Sequence, residues 1–314
     1  MRKVAVTGGA GFVGTNLVSA LIRCGYQVSV IDDFSTGLRS NVEKLGCEIC
    51  EVSIVNKNDM YEVLAESEFI FHLAARGSVP RSIANPEATF EVNTRGTFNV
   101  LSFAKDFHVP LLFSSSSSVY GANDALPKNE YMWTSPLTPY AASKLYGEAL
   151  MQSYSMSYNL PLITFRFFNI FGPWQRPDHD YAAVIPKAMN GETILVYGDG
   201  EQTRDFTYVD SVVSALINVM ENQVSDPQPI NLAFGGKISL NQVLNELSGY
   251  FPNLRVEYRP ERPGDVRNSQ NDPSRLFEYF PNLKATQFDV GMRKTIEWFT
   301  EHGASIVGAP APKD

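Results

Sequence analysis

The chain has only three cysteines in 314 residues, Cys24, Cys47 and Cys50, too few and of the wrong parity for a disulfide framework. Cys47 and Cys50 have the spacing of a redox or zinc pair. The run Glu48-Ile49-Cys50-Glu51-Val52 alternates like a strand, however, and no second cysteine pair completes a metal set. Reduced, packed thiols are expected. His179 and Asp180 stand in a loop without further ligands, so no metal is expected there either. Basic residues are not in excess: 26 Lys+Arg against 34 Asp+Glu leave a net charge of −8, which argues against nucleic acid or an acidic membrane surface as a partner. No apolar run approaches the ~20 residues of a bilayer span. The first residues read as a strand rather than a secretory leader, and a cytoplasmic protein is expected. Internal repeats and low-complexity linkers are lacking too. What is present, 44% hydrophobic and 19% charged residues, suits a soluble α/β unit or two closely joined domains.

Strand-like runs at 3–7, 27–32, 48–52, 69–73, 110–115 and 161–166 alternate with amphipathic stretches at 14–24, 57–66, 92–107 and 140–158. That alternation predicts a parallel sheet with helices on both faces, wound right-handedly. After Arg166 the pattern changes. Gly172, Pro173, Pro177 and Pro186 punctuate a loop-rich segment, a short strand falls at 194–197, a helix at 210–221, and residues 230–233 read as a strand returning to the sheet. Residues from Ser239 onward mix helices and short strands.

The first strand runs into Gly8-Gly9-Ala10-Gly11-Phe12-Val13-Gly14, which opens a helix carrying Leu17, Leu21 and Ile22. Glycines at 8, 11 and 14 give a tight turn, let backbone approach a pyrophosphate, and bring helix and sheet close. The helix N-terminus offers free N–H groups and a positive dipole end to phosphate. A second strand, Val28-Ser29-Val30-Ile31, ends at Asp32, eighteen residues beyond the last glycine. A carboxylate there accepts hydrogen bonds from the adenosine ribose hydroxyls and repels a 2′-phosphate, so the cofactor is expected to be NAD rather than NADP.

Tyr140-Ala-Ala-Ser-Lys144 opens an amphipathic helix and places both functional side chains on one face, at i and i+4. An ammonium beside a phenol, aided by a positive nicotinamide ring, is expected to lower the phenol's pKa and make Tyr140 a base near neutral pH.

These elements, together with His72-Leu73-Ala74-Ala75, Asn93-Thr94-Arg95-Gly96-Thr97 and Ser114–Ser118-Val119-Tyr120-Gly121, resemble the extended short-chain dehydrogenase/reductase family. Arg166-Phe-Phe-Asn169-Ile-Phe-Gly-Pro173, Gly198-Asp-Gly-Glu-Gln-Thr-Arg204-Asp-Phe206 and Arg262-Pro-Gly-Asp265 resemble its nucleotide-sugar branch. The resemblance spans residues 3 to 300 and implies a Rossmann-type doubly wound parallel sheet with a smaller C-terminal α/β substrate domain. Residues 1–168, completed by 205–235, are the expected NAD-binding part, and 169–204 with 236–314 the nucleotide-sugar part. It implies Ser116, Tyr140 and Lys144 as the catalytic set. As cofactor contacts it implies Phe12, Val13, Asp33, Ser53, Ile54, Leu73, Ala74, Ala75, Asn93, Ser114 and Phe167 beside the glycines and Asp32. Ser53 stands where the family often carries an acidic residue on adenine. For the UDP-sugar it implies Ser78, Ser117, Asn169, Arg176, Val184, Val196, Tyr197, Arg204, Arg262, Asp265 and Ser269. The helices at 92–107 and 140–158 resemble those that pair in family homodimers.

Family members that dehydrate or decarboxylate their sugars resemble one another in keeping a carboxylate just before Val-Tyr. Here the run is Ser116-Ser117-Ser118-Val119-Tyr120. Oxidation and re-reduction at C4, an epimerisation, is then the chemistry left. Gly77-Ser78-Val79-Pro80-Arg81-Ser82 and Val266-Arg267-Asn268-Ser269 are most similar to UDP-N-acetylglucosamine 4-epimerases, and Ser269 stands where a bulky tyrosine narrows the pocket of UDP-glucose/UDP-galactose epimerases. UDP-glucose remains a second substrate. Arg176-Pro177-Asp178 resembles uronate epimerases and keeps UDP-glucuronate as a third reading. A dehydratase and a catalytically silent NAD-binding scaffold complete the range of functions open to the chain.

Overall fold

The computed structural model describes residues 2–175, 184–261 and 267–307. Seven parallel strands form its central sheet: β1 (Lys3–Thr7), β2 (Gln27–Asp32), β3 (Glu48–Glu51), β4 (Phe69–His72), β5 (Leu111–Ser116), β6 (Leu162–Phe167) and β11 (Ile230–Leu232). They lie in the order β11-β6-β5-β4-β1-β2-β3. Strand order reverses at β1, where adjoining crossovers leave to opposite sides; a crevice beyond the carboxyl ends follows from that topology. Central strands are buried on both faces, which is why Phe69-Ile70-Phe71-His72 reads as a nearly continuous apolar run.

Helices α1 (Phe12–Arg23), α2 (Lys57–Leu64), α3 (Val79–Ala84), α4 (Pro86–Phe90), α5 (Thr97–Phe107), α6 (Pro139–Tyr158) and α8 (Val209–Glu221) cover the sheet. Leu17, Val18, Leu21, Val212, Leu216 and Val219 pack in one apolar cluster, and Met60, Leu64, Val100, Leu101, Phe103 and Met151 in another. Helix α6 is cut cleanly from the sequence. The Thr138 side chain accepts the Ala141 N–H, Pro139 occupies the first turn, and Asn159 ends the helix at φ 51°. One boundary differs from the periodicity. Instead of a regular helix from 92, residues Glu91–Gly96 form a π-type turn leading into α5, with Gly96 pressed against Ile54.

Small strand pairs build the remaining part. They are β7 (Asn169–Phe171) with β10 (Phe206–Tyr208), β8 (Thr193–Tyr197) with β13 (Arg255–Arg259), and β9 (Thr203–Arg204) with β12 (Ile238–Ser239). They are joined by α7 (Val184–Met189), α9 (Leu240–Tyr250), α10 (Ser274–Tyr279) and α11 (Phe288–Val307). The buried Asp205 carboxylate ties these pieces together by accepting the N–H groups of Gly235, Gly236 and Asn271. No helix among the described residues is long and apolar enough to cross a membrane.

Candidate active site

Glycine geometry explains the mouth of the sheet. Gly8 has φ +70°, and a Cβ on it would stand 2.7 Å from the Ala74 backbone; one on Gly14 would stand 2.2 Å from the Gly8 carbonyl oxygen. Gly11, by contrast, would meet only the Gly8 oxygen, at 3.2 Å, which leaves its other side open to a ligand. Helix α1 starts on Gly11 with no side-chain cap and no acidic residue in its first turn. The Phe12 and Val13 N–H groups are therefore left without a side-chain cap, as at helix starts that accept anions. Asp32 turns its carboxylate back on the same loop, accepting from Ala10 N at 3.0 Å and Phe34 N at 2.9 Å. Burial holds its pKa above the ordinary carboxylate value, and those two bonds work against the rise.

A cleft of about 520 Å³ follows, lined by Gly8, Gly11, Asp32, Asp33, Ser53, Ile54, Leu73, Ala74 and Ala75, all anticipated from sequence. It is also lined by Ser35, Thr36, Gly37, Val52, Arg76 and Val92, which were not. Gly37 is set by contact, since a Cβ on it would stand 2.9 Å from the Ala10 carbonyl carbon. Arg76 carries a buried Nε without a hydrogen-bond partner. A single basic residue after Ala74-Ala75 was the signal available for it. Open glycine backbone, an uncapped helix start, an unpartnered guanidinium nitrogen and a carboxylate lining the cleft at the end of β2 fit a dinucleotide with an unphosphorylated 2′ position.

Several expected contacts are spent inside the protein. Asn93 Oδ1 accepts the Arg76 N–H at 2.7 Å, and its Nδ2 donates to the Arg76 carbonyl and to Ser143. It braces the loop after β4 against α6 rather than offering polar atoms to the cleft. Ser114 donates to the His72 carbonyl, and its own carbonyl accepts the Lys144 ammonium at 2.6 Å. Ser78 caps α3 by accepting the Arg81 N–H, and it lines a second, adjoining pocket that shares Thr36 and Arg76 with the first. Phe167 ends β6 opposite Leu232.

Strand β5 runs one residue beyond the expected end, so Ser116 is its last residue, 9% exposed. Its hydroxyl donates to Ser118 Oγ at 3.0 Å and accepts the Ser118 N–H, and it lies near enough to the Tyr140 phenol to favour the phenolate. The lowered Tyr140 pKa expected from sequence is not found in the protein alone. Burial dominates and leaves the phenol above its ordinary value, and Lys144 is not among the groups that pull it down. Burial also pushes the Lys144 amine down to about 7, with the Glu148 carboxylate opposing. His72, buried between Thr7 and Thr97, is packed rather than catalytic. Ser117 begins the short 3-10 turn Ser117–Tyr120 that leads away from the strand.

On the sugar side, Asn169 pairs with Phe206 across β7 and β10, two residues from Arg204. Arg204 donates to the carbonyls of Thr203 and Arg267, and the Ser269 N–H donates to Thr203. Neighbouring segments thus collect Asn169, Arg204 and Ser269. The two acids that follow Arg204 most closely in sequence are engaged elsewhere: Asp205 holds backbone N–H groups and Asp210 holds Lys294. Val196 needs correcting: alternation along β8 puts it in the core at 0% exposure, leaving Tyr197 half-buried as the side chain of that pair able to meet a ligand. Val184 is likewise a core residue, 8% exposed at the start of α7. Arg176, Pro177, Asp178, His179, Asp180, Arg262 and Asp265 lie outside the described residues. No metal-ligating cluster occurs among the described residues.

Crevice, glycine loop and Tyr–Lys helix define a dinucleotide-dependent enzyme of the Rossmann type. The chain belongs to the NAD dependent epimerase/dehydratase family, whose sequence profile matches residues 4–233. It is similar to the UDP-N-acetylglucosamine 4-epimerase of Methanobrevibacter ruminantium M1, solved with UDP-N-acetylmuramic acid. That likeness has a TM-score of 0.90 and 33% identity, covering 96% of this chain and 99% of that one. A UDP-glucose 4-epimerase of Thermus thermophilus, solved with NAD, aligns with a TM-score of 0.86 and 31% identity over 95% and 99% of the two chains. A UDP-N-acetyl-alpha-D-glucosaminuronate decarboxylase of Bacillus cytotoxicus is 33% identical over 96% of this chain and 98% of its own. NAD is the cofactor.

Proposed function

We propose that the enzyme epimerises C4 of a UDP-hexose, with UDP-GlcNAc and UDP-GalNAc as the main pair and UDP-glucose and UDP-galactose as a further one. The observation that carries this reading is the serine run at the end of β5. Ser116 meets Tyr140, while positions 117 and 118 offer hydroxyls where removal of a C5 proton needs a carboxylate. Glu148, the carboxylate bound to neighbouring Ser115, is committed to Arg166.

In the forward half, Tyr140 accepts the proton of the 4-hydroxyl and Ser116 steadies that oxygen. NAD, when bound, would supply the hydride acceptor and donor that oxidation and re-reduction at C4 require. The 4-keto sugar turns in its pocket, hydride re-enters on the opposite face, and Tyr140 returns the proton, so nothing is consumed. Lys144 supplies a donor and positive charge beside the phenol. Asn169 and Arg204 hold the pyrophosphate of UDP, Arg204 through a guanidinium fork matched to phosphate oxygens. Tyr197 lies along the uracil, and the small Ser269 leaves room for a 2-acetamido group. Residues 1–168 with 205–235 carry NAD, and 169–204 with 236–314 carry the sugar nucleotide. We place the enzyme in the cytoplasm as a homodimer paired through α5 and α6. Val100, Leu101, Phe103 and Met151 of these helices are core, but Phe98 and Tyr146 are 41% and 42% exposed and available for pairing.

The deciding experiment is a proton NMR time course in D₂O with UDP-GlcNAc and no added NAD. UDP-GalNAc appearing without deuterium incorporation is the expected result. Loss of the C5 proton or an alkene product would overturn the epimerase reading in favour of a dehydratase, and turnover of UDP-glucuronate alone would move the substrate to the uronates.

A further inference from the structure

Three consecutive serines of β5 meet three residues of α6 spaced four apart. The Ser116 hydroxyl meets Tyr140, the Ser114 carbonyl takes the Lys144 ammonium, and the Ser115 hydroxyl donates to the Glu148 carboxylate. Residues 140, 144 and 148 share one helix face, and each is joined to β5 by its own rung, out of strand order: 140 to Ser116, 144 to the Ser114 carbonyl and 148 to the Ser115 hydroxyl. The first two rungs belong to the reacting pair. The third is not accounted for by the reaction.

Glu148 is 6% exposed and Arg166, on β6, is 5% exposed. They form a two-pronged pair, Nε to Oε1 at 2.9 Å and Nη2 to Oε2 at 2.7 Å. The remaining guanidinium nitrogen donates to the Tyr120 hydroxyl at 2.9 Å, and that hydroxyl donates to Asn231 of β11 at 2.8 Å. A buried pair of this kind is a poor stabiliser, because desolvation consumes most of its attraction, and an apolar replacement often does as well. Its retention one helical turn from Lys144 calls for another use. Lys144 is 4% exposed, and the charged or titratable groups about it are His72 from β4, Tyr140 and Glu148 on its own helix, and Arg166 beyond Glu148.

We propose that Glu148, locked by Ser115 and Arg166, is a positioning residue that keeps the Lys144 ammonium charged and holds α6 in register with the serines of β5. The proposal rests on Tyr140 and Lys144 being the reacting pair. Glu148 touches neither substrate nor cofactor and acts through Lys144. Burial disfavours the charged amine; a fixed carboxylate on the same face counters that, and the guanidinium holds the carboxylate in place.

The test uses the NAD-loaded enzyme and two readouts. Lysine labelled with ¹³C at Cε reports the Lys144 titration midpoint, assigned by its loss in Lys144→Met, and does not depend on which sugar is turned over. In Glu148→Gln the midpoint is expected to fall by about one pH unit. Turnover of UDP-GlcNAc at pH 7 is expected to fall roughly tenfold or more, with KM and NAD content within about twofold of wild type. Because Glu148→Gln strands a buried guanidinium, Glu148→Gln/Arg166→Gln removes both charges and keeps the shape. If the pair serves only stability, this double variant regains wild-type midpoint and turnover, and the proposal falls. A lowered midpoint with reduced turnover in a well-folded double variant supports it. Should the enzyme turn over no UDP-sugar at all, the functional reading fails, while the midpoint still decides the role of Glu148.

Discussion

The NAD side and the sugar side of this molecule are built by different means. On the side of the glycine cleft, the lining comes mostly from short contiguous runs at the ends of sheet strands, and close backbone approaches shape it. Gly8 and Gly14 are fixed by approaches of 2.7 and 2.2 Å that no side chain tolerates without a shift. On the proposed sugar side, Asn169, Arg204 and Ser269 come from three distant stretches that strands of two or three residues and loops bring together. Recognition there, as proposed, would rest on side chains, which change without disturbing the sheet. A family of this construction keeps its cofactor and varies its substrate, as the epimerases and decarboxylase similar to this chain illustrate.

The largest expected effect lies where the two regions meet. Tyr140→Phe removes one hydroxyl and leaves the helix, its cap and the cleft in place. Turnover is expected to fall by about 10³-fold or more, within the range of a lost general base, while bound NAD and the unfolding midpoint stay near wild type. Near-normal epimerisation in that variant would sink the role given to the phenol. Next comes Gly14→Ala, which tests whether the NAD side is governed by backbone. Its Cβ would collide with the Gly8 carbonyl, so helix or loop must move. A loss of about 1–3 kcal/mol of stability is expected in urea unfolding, accompanied by loss of retained NAD in the purified protein. Full NAD retention would show that the loop has slack the contacts do not reveal.

His72 gives the NAD side a pH signature. Burial first, and the Lys144 charge second, hold its pKa down to about 3 from an ordinary 6.5. The unfolded chain therefore binds more protons than the folded one between those values, and stability falls as pH drops through that window. From pH 7 to pH 5 the loss attributable to this group is about 2 kcal/mol. Urea midpoints of wild type and His72→Gln across that range should converge at low pH by this amount. Parallel curves would mean that His72 titrates normally and that β4 is less sealed than its packing indicates.

The same contrast decides what was legible in the sequence. Every strand of the central sheet was readable, because buried parallel strands are apolar runs between amphipathic helices, and errors were confined to ends such as Ser116 and the π-type turn at Glu91–Gly96. Gly8, Gly11 and Asp32 were readable because the motif is contiguous and the constraint is steric. Arg76, Thr36 and Gly37 were missed, since they reach the cleft through loop paths that no periodicity encodes. Asn93 and Ser114 were placed at the cofactor, but their hydrogen bonds are spent on Arg76, Ser143, His72 and Lys144, and pairing of that kind is invisible before folding. On the sugar side, Val196 and Tyr197 are adjacent, yet strand alternation buries one and presents the other. The lowered Tyr140 pKa was reasoned from its i+4 neighbour alone, whereas burial, a property of the whole fold, sets its direction.

The smallest effect is the one that sharpens the comparison most. Ser269 follows Asn268, which bridges to Thr203, and its N–H bonds the Thr203 carbonyl beside Arg204, so its backbone is held on the strand that carries Arg204. A substitution there changes volume without needing a new backbone path. Ser269→Tyr is expected to cut kcat/KM for UDP-GlcNAc about tenfold relative to UDP-glucose, a difference of about 1.4 kcal/mol, with NAD content and stability unaltered. Selectivity is the quantity to measure, as a ratio from a competition assay with both sugars present. An equal loss on the two substrates would place Ser269 away from the 2-acetamido group and shift the size discrimination to another segment. A selective loss would show that substrate choice is adjusted by one side chain on a fixed NAD-binding frame.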